Sequence, residues 1–300
     1  MDELLQGVPV ALGGPRGLEV TRTLPNRQRR MVGAWCFLDA YGPHDLAGSA
    51  GMRVAPHPHI GLQTVSWLVA GEILHRDSVG SRREIRPGQL NLMTAGRGIA
   101  HSEETPAPHS GVLHGVQLWV ALPATHRDVP PRFTHHADLP VVSDAGLTAT
   151  VLMGELVGAQ SPATCYTPLV GAEIALTAGT DTAVPLRADF EYAVLCLEGT
   201  ATVAGTDLKP GPLCYLGEGR TALPLTAAED SRLILVGGEP FDERIVMWWN
   251  FVGRDHDEIV EARADWSAGA RFGEVHGYDG APLAAPPMPI TRLVPRGRVR

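Results

Sequence analysis

Two short runs hold the residues best suited to chemistry. His57 and His59 flank a proline in Ala55-Pro56-His57-Pro58-His59-Ile60-Gly61, and His101 and Glu103 close Gly96-Arg97-Gly98-Ile99-Ala100-His101-Ser102-Glu103. The partners in each pair are two residues apart, so on an extended strand both side chains leave the same face. Two such strands side by side aim three imidazoles and one carboxylate at one point. These donors are borderline to hard and suit Fe(II), Mn(II), Ni(II), Cu(II) or Zn(II) without choosing among them. No thiolate accompanies them, which argues against a closed structural zinc site. Three histidines and one glutamate leave positions open for water, substrate or dioxygen, the mark of a site that does chemistry or senses a ligand. Pro58 fixes its own φ and biases His57 towards extended geometry, and Gly61, Gly96 and Gly98 permit tight turns beside the ligands. A lone histidine in a strand-rich chain is usually a hydrogen-bonded core or surface residue. It is the pairing of H-x-H with H-x-E that points to a metal.

The elements that must position these residues read as strands. Thr64-Val65-Ser66-Trp67-Leu68-Val69 is β-branched and aromatic, stops at Ala70-Gly71, and is followed by Glu72–Asp77 as in a hairpin. Pro87-Gly88 is a turn signal. Leu90–Thr94 is the next run, and Val112–Leu122 reads as a buried central strand bounded by Pro123. The stretch Pro123–Leu139, with Pro130-Pro131 and His135-His136, reads as a connector; adjacent histidines on an extended chain face opposite ways and make poor co-ligands.

The second half repeats the plan. Phe190–Gly199 matches the strand ending at Gly71, Thr200–Val203 the return strand, Pro210-Gly211 the Pro87-Gly88 turn, and Leu233–Gly238 the strand to Leu122. Two related β-barrels explain such a repeat better than one large domain. Offsets from these landmarks put Pro185, Arg187 and Pro224 where the first half has His57, His59 and His101, so the second barrel is expected to lack ligands. Beyond Glu239 the pattern changes. Asp255–Trp266 is helix-like, with Asp255 as N-cap and Ile259, Ala262 and Trp266 at helical spacing. The Pro- and Arg-rich tail from Ala281 to Arg300 is expected to run extended over the surface or to be mobile.

Composition agrees with an all-β reading: 34 Gly and 25 Pro in 300 residues suit short strands and turns, and 44% hydrophobic residues suffice for substantial cores. A net charge of −8 leaves no basic footprint for direct nucleic-acid binding. The basic residues are arginine apart from Lys209, which reads as compositional bias. Cys36, Cys165, Cys196 and Cys214 form no C-x-x-C pair and are expected to be free thiols in a cytoplasmic protein. Neither a signal peptide nor a membrane span is expected.

The runs His57–Gly61, Met93–Glu103 and Gln117-Leu118-Trp119-Val120 together resemble the pirin family of the cupin superfamily, over about Arg22 to Trp266. The resemblance implies a bicupin: two tandem cupin β-barrels and a short C-terminal helix, with a metal in the first barrel only. It divides the chain into residues 1–140, a metal-binding N-terminal domain, and 141–300, a C-terminal cupin-like domain ending in the helix and tail. The family's metal ligands fall on His57, His59, His101 and Glu103. General cupins often carry a glutamate shortly after H-x-H; Gln63 stands there, but the pirin carboxylate comes from the second motif. The implied cofactor is one divalent transition metal, Fe(II) first, with Mn, Ni, Cu or Zn compatible. The implied activity is that of a quercetin 2,3-dioxygenase, opening a flavonol with O2 and releasing CO, with Glu103 as ligand and general base. His75 and Gln117 are possible neighbours of the pocket. The alternative is a metal- and redox-responsive binding protein that modulates a transcription factor or a metabolic enzyme.

Overall fold

The computed structural model describes residues 2–12 and 18–299. The chain forms two β-barrels, each a large sheet facing a small one. In the first, seven strands run edge to edge in the order Arg132–His136, Leu90–Thr94, Leu62–Ala70, Val112–Ala121, Trp35–Asp45, Glu19–Leu24 and Val8–Ala11. Facing them are Arg53–His59, Ile99–Glu104, Ile73–Asp77 and Arg82–Ile85.

The second barrel repeats this order. Its large sheet runs Glu3–Leu5, Leu213–Gly217, Glu191–Glu198, Ser231–Gly238, Leu169–Leu176, Leu147–Leu156 and Val141–Asp144, with Ala159–Gln160 paired to Leu147–Leu156. Its small sheet runs Thr180–Pro185, Ala222–Ala227, Ala201–Val203 and Thr206–Leu208. One exchange ties the halves together. The edge position that Arg132–His136 takes in the first barrel belongs, in the second, to Glu3–Leu5 from the start of the chain, paired Glu3 to Tyr215 and Leu5 to Leu213.

The barrels pack through the outer faces of their large sheets. Leu38, Val65, Trp67, Leu92, Val116 and Leu118 share one core with Leu195, Leu213, Ile234 and Val236. Polar anchors sit inside this apolar layer. Trp35 Nε1 donates to the carbonyls of Val170 and Gly237, each at 3.1 Å. Buried Glu191 accepts from Gly33 N at 2.6 Å, from the Tyr215 hydroxyl at 2.7 Å and from Arg298 at 2.9 Å. The tail reaches this junction too. Arg296 pairs with Ile245 and Val299 with Arg29, so the tail is extended and anchored; Arg300 lies outside the described residues.

The strands that correspond to those carrying the metal-ligand motifs have apolar interiors in the second barrel. Val184, Leu223, Leu225 and Ala227 are buried in its core. This barrel is filled like an ordinary hydrophobic interior.

One reading of the sequence needs adjustment. Pro123–Leu139 contains a strand, because Arg132–His136 completes the open edge of Leu90–Thr94, and His135 Nδ1 meets Asn91 Oδ1 at 2.8 Å. The helix spans His256–Ser267, and the Asp255 side chain accepts from Glu258 N at 2.9 Å as its N-cap. Its buried face, Ile259 and Ala262, packs with Ile60, Ala100, Phe251 and Phe272 against the outer side of the small sheet that bears the histidines. All four cysteines are free. Among the described residues no helix is long and apolar enough to cross a membrane.

Candidate metal centre

His57 and His59 lie on Arg53–His59, the edge strand of the small sheet, where prolines 56 and 58 are tolerated because one side of an edge strand needs no ladder partner. His101 pairs directly with His57 across the ladder. The strand ends at Gly61, whose φ is +67°; a Cβ there would lie 2.0 Å from the Val252 carbonyl oxygen. That close approach needs glycine. It also brings in the neighbouring hairpin, Val246–Trp248 and Phe251–Gly253, through the bridge from Ile60 to Phe251.

The three imidazoles converge. Ring centroids are 5.0 Å apart for His57 and His59, 4.4 Å for His57 and His101, and 5.0 Å for His59 and His101. One nitrogen from each lies within 4.8 Å of the other two, and all three side chains are buried. Their partners assign the tautomers. His57 Nδ1 lies 2.9 Å from the Ala55 carbonyl and His59 Nδ1 lies 3.0 Å from the Asn250 carbonyl. Each Nδ1 therefore carries the proton, and each Nε2 offers a lone pair. His59 Nε2 faces His101 Nε2 at 3.1 Å. A divalent cation at this convergence would take both lone pairs, so the donor set fits a metal. Backbone carbonyls that fix the ring opposite the ligating nitrogen are the usual outer support of such sites.

Glu103 sits slightly apart. It falls in a second grouping with His75 and His101, again within 4.8 Å, so the two groupings share His101. The cause is local: the ladder to Arg53–His59 shifts register between His101 and Glu103. Ser66 Oγ approaches Glu103 Oε1 at 3.2 Å and Gln117 Oε1 at 3.0 Å. Ser66 belongs to a row of paired positions across the inner face of the large sheet: His135, Asn91, Ser66, Gln117, Asp39 and Arg22. This polar row faces the small sheet that carries the ligands.

The centre lies in a cleft of about 600 Å³. One wall is aromatic: Trp119 stacks on Phe37 at 4.0 Å and 11°, Arg22 lies 4.4 Å over Phe37, and His59 meets Trp119 edge-on at 5.1 Å. Gln117 lines the cleft as expected, whereas His75 lies behind His101. Sequence reading missed the remaining walls. Trp249, Asn250, Leu283, Ala284 and Pro286 come from the C-terminal end of the chain, and Val10 and Leu12 from the start. Trp249 has φ +54° in a two-residue hairpin turn, a left-handed conformation uncommon for a bulky residue.

Burial sets the ionisation. It pushes His57 down to about 4 and His59 and His101 well below the ordinary imidazole range, with neighbouring histidines adding to the effect. Burial also raises Glu103, against the pull of His75 and the Ser66 hydrogen bond. Neutral histidines are the ligating form, so near pH 7 protons do not compete for them.

The same shifts predict acid lability in protein stripped of metal by chelation. Below about pH 6.5 the unfolded chain protonates its histidines while the folded chain leaves these three neutral. The unfolded state then binds more protons, so stability falls as pH falls, by about 1.4 kcal/mol per pH unit for each histidine. For His57 the loss continues down to about pH 4. Glu103 acts in the opposite sense, since its raised folded pKa favours the folded state as it protonates. Thermal melts of the stripped protein between pH 7.5 and 5 should show a steep fall in Tm, and a flat profile would contradict neutral buried imidazoles.

The chain is similar to known proteins along most of its length. The family described as Pirin matches residues 17–120, and the Pirin C-terminal cupin domain matches residues 171–273. The chain is 48% identical to a Pseudomonas aeruginosa protein named "putative quercetin 2,3-dioxygenase", over 96% of this chain and 92% of that one. It is 42% identical to a pirin-like protein of Caulobacter vibrioides, over 84% and 88%. The crystal structure of a quercetin 2,3-dioxygenase from Acinetobacter baumannii superposes with a TM-score of 0.93 at 44% identity, covering 97% of this chain and 96% of that one.

Proposed function

From the premise that the chain belongs to the pirin family, we propose that it is a metal-dependent dioxygenase of the quercetin 2,3-dioxygenase type, acting on a flavonol-like substrate and O2. One observation carries this reading: three buried imidazoles converge, with the Glu103 carboxylate beside His101, on a cleft with an aromatic wall. His57, His59, His101 and Glu103 would hold one divalent transition metal, with Fe(II) first among the candidates. When bound, the metal supplies Lewis acidity towards the flavonol oxygens and one-electron chemistry with dioxygen.

The chain's own residues do the rest. Trp119 and Phe37 line the cleft with apolar surface for a planar ring system. Gln117 presents a polar group at the cleft wall, with its Oε1 3.0 Å from Ser66 Oγ. Glu103, raised by burial, takes the proton of the ring hydroxyl onto its carboxylate, leaving the ring electron-rich where dioxygen reacts. The ring then opens, consuming O2 and releasing CO. The two related quercetin 2,3-dioxygenase names support the reading.

The test is direct. Protein loaded with Fe, Mn, Ni or Cu is incubated with quercetin under O2 while flavonol absorbance and released CO are followed. Bleaching with CO release is expected with at least one metal. Absence of turnover with all four would overturn the proposal.

A further inference from the structure

Behind His101 lies a pair of residues that the proposed chemistry does not use. We infer that Asp77 and His75 form a positioning pair that fixes the His101 tautomer and so determines whether His101 can bind metal. This rests on the reading of His101 as a ligand.

The geometry forms one line of contacts. His101 Nδ1 lies 3.4 Å from His75 Nδ1, and His75 Nε2 lies 2.9 Å from Asp77 Oδ2. For His101 to offer a lone pair at Nε2, its proton must sit on Nδ1, and that buried N–H needs an acceptor. His75 Nδ1 is that acceptor only if the His75 proton sits on Nε2. Asp77 is acceptor-only, so its carboxylate requires a proton there. The carboxylate thus sets two tautomers in succession and aims the His101 lone pair at His57 and His59.

The pair is held rigidly. His75 and Asp77 are 2% and 3% exposed, and Phe133 stacks on the His75 ring at 4.4 Å and 17°. Asp77 divides its oxygens. Oδ1 accepts from Val79 N at 3.1 Å and Ser81 N at 2.9 Å in the turn to the next strand, which leaves Oδ2 for His75. His57 and His59 take backbone carbonyls for the same purpose; His101, on a central strand of the small sheet, is oriented by a side-chain pair instead.

The division of oxygens makes Asp77→Asn a sharp test. Its Oδ1 stays with the turn amides, so its Nδ2 must face His75 as a donor. That reverses both tautomers and puts a proton on His101 Nε2. Co(II) affinity, read by competition with a chromophoric chelator, should fall about 10- to 100-fold, the usual effect of losing outer support of a ligand. The Co(II) d–d spectrum should change with it. His75→Leu should behave alike, whereas His75→Gln, whose amide can accept from His101 and donate to Asp77, should retain most of the affinity. The histidine variants keep the Asp77 turn and decide the matter if Asp77→Asn fails to fold. Wild-type affinity and spectrum in Asp77→Asn and His75→Leu would overturn the inference, as would equal losses in His75→Gln and His75→Leu. Failure of the wild-type protein to bind Co(II) would instead overturn the reading of the site as a metal centre.

Discussion

Glu103→Gln is expected to lower flavonol turnover about 10²- to 10⁴-fold, the range for loss of a positioned general base. Glutamine keeps the size of the side chain and can still accept from Ser66 Oγ, which lies 3.2 Å from Glu103 Oε1. What it cannot do is take a proton. The loss should therefore fall on kcat, with KM little changed, because the Trp119 and Phe37 wall that would hold the rings is untouched. The pH profile adds a second readout. A base must be ionised, so kcat/KM rises with pH through the pKa of the free enzyme's base. Burial raises that of Glu103 in the metal-free chain and a bound cation would lower it, so the position of the rise reports the balance of the two. In the variant this limb should disappear. Metal content measured on the same samples separates the two duties proposed for Glu103: low turnover at full occupancy reports the base, and low turnover that tracks lost metal reports the ligand. An unchanged kcat at full occupancy would remove Glu103 as the base.

The reach of the sequence can be judged from these residues. His57, His59 and His101 were legible because a two-residue spacing has one geometric meaning on a strand, and the structure brings their rings together. That the second half repeats the scaffold was legible because its turn signals recur, while the H-x-H and H-x-E runs do not. The landmark offsets pointed to Pro185, Arg187 and Pro224, but these are exposed; the inward positions of Thr180–Pro185 and Ala222–Ala227 are held by Val184, Leu223 and Leu225, because the lengths between turns differ in the two halves. Asp255 capped its helix where the acidic first turn indicated.

What escaped was contact between parts distant in sequence. Nothing local in Glu3–Leu5 says that it will pair with Leu213–Gly217. The carbonyl that orients His59 belongs to Asn250, and a backbone group leaves no mark on residue identity. The displacement of Glu103 towards His75 follows from a register shift, which hydrophobic alternation does not reveal. One signal was there to be used. His75-Arg76-Asp77 is a third polar pair at the same two-residue spacing, on the strand that neighbours His101-Ser102-Glu103.

His59→Leu should abolish metal binding while leaving a folded protein. His59 contributes the Nε2 lone pair that faces His101 at 3.1 Å. Leucine fills a similar volume against Trp119 but offers no donor atom. In metal-free protein the substitution also strands the Asn250 carbonyl, a half-buried acceptor whose loss of partner costs at most about 1–3 kcal/mol. A single melt therefore mixes two effects, but melts with and without metal separate them. Binding to the folded state alone stabilises by RT ln(1 + [L]/Kd), about 4.1 kcal/mol when the metal stands at 1,000 times its Kd. For a chain of this size that is a rise in Tm on the order of 10 °C. Wild-type protein should show this rise with its metal, and His59→Leu should show none, whatever its metal-free Tm. Because the stranded carbonyl is present in both melts of the variant, it cancels from the difference. A metal-induced rise retained in His59→Leu would place the metal elsewhere and remove His59 from the ligand set.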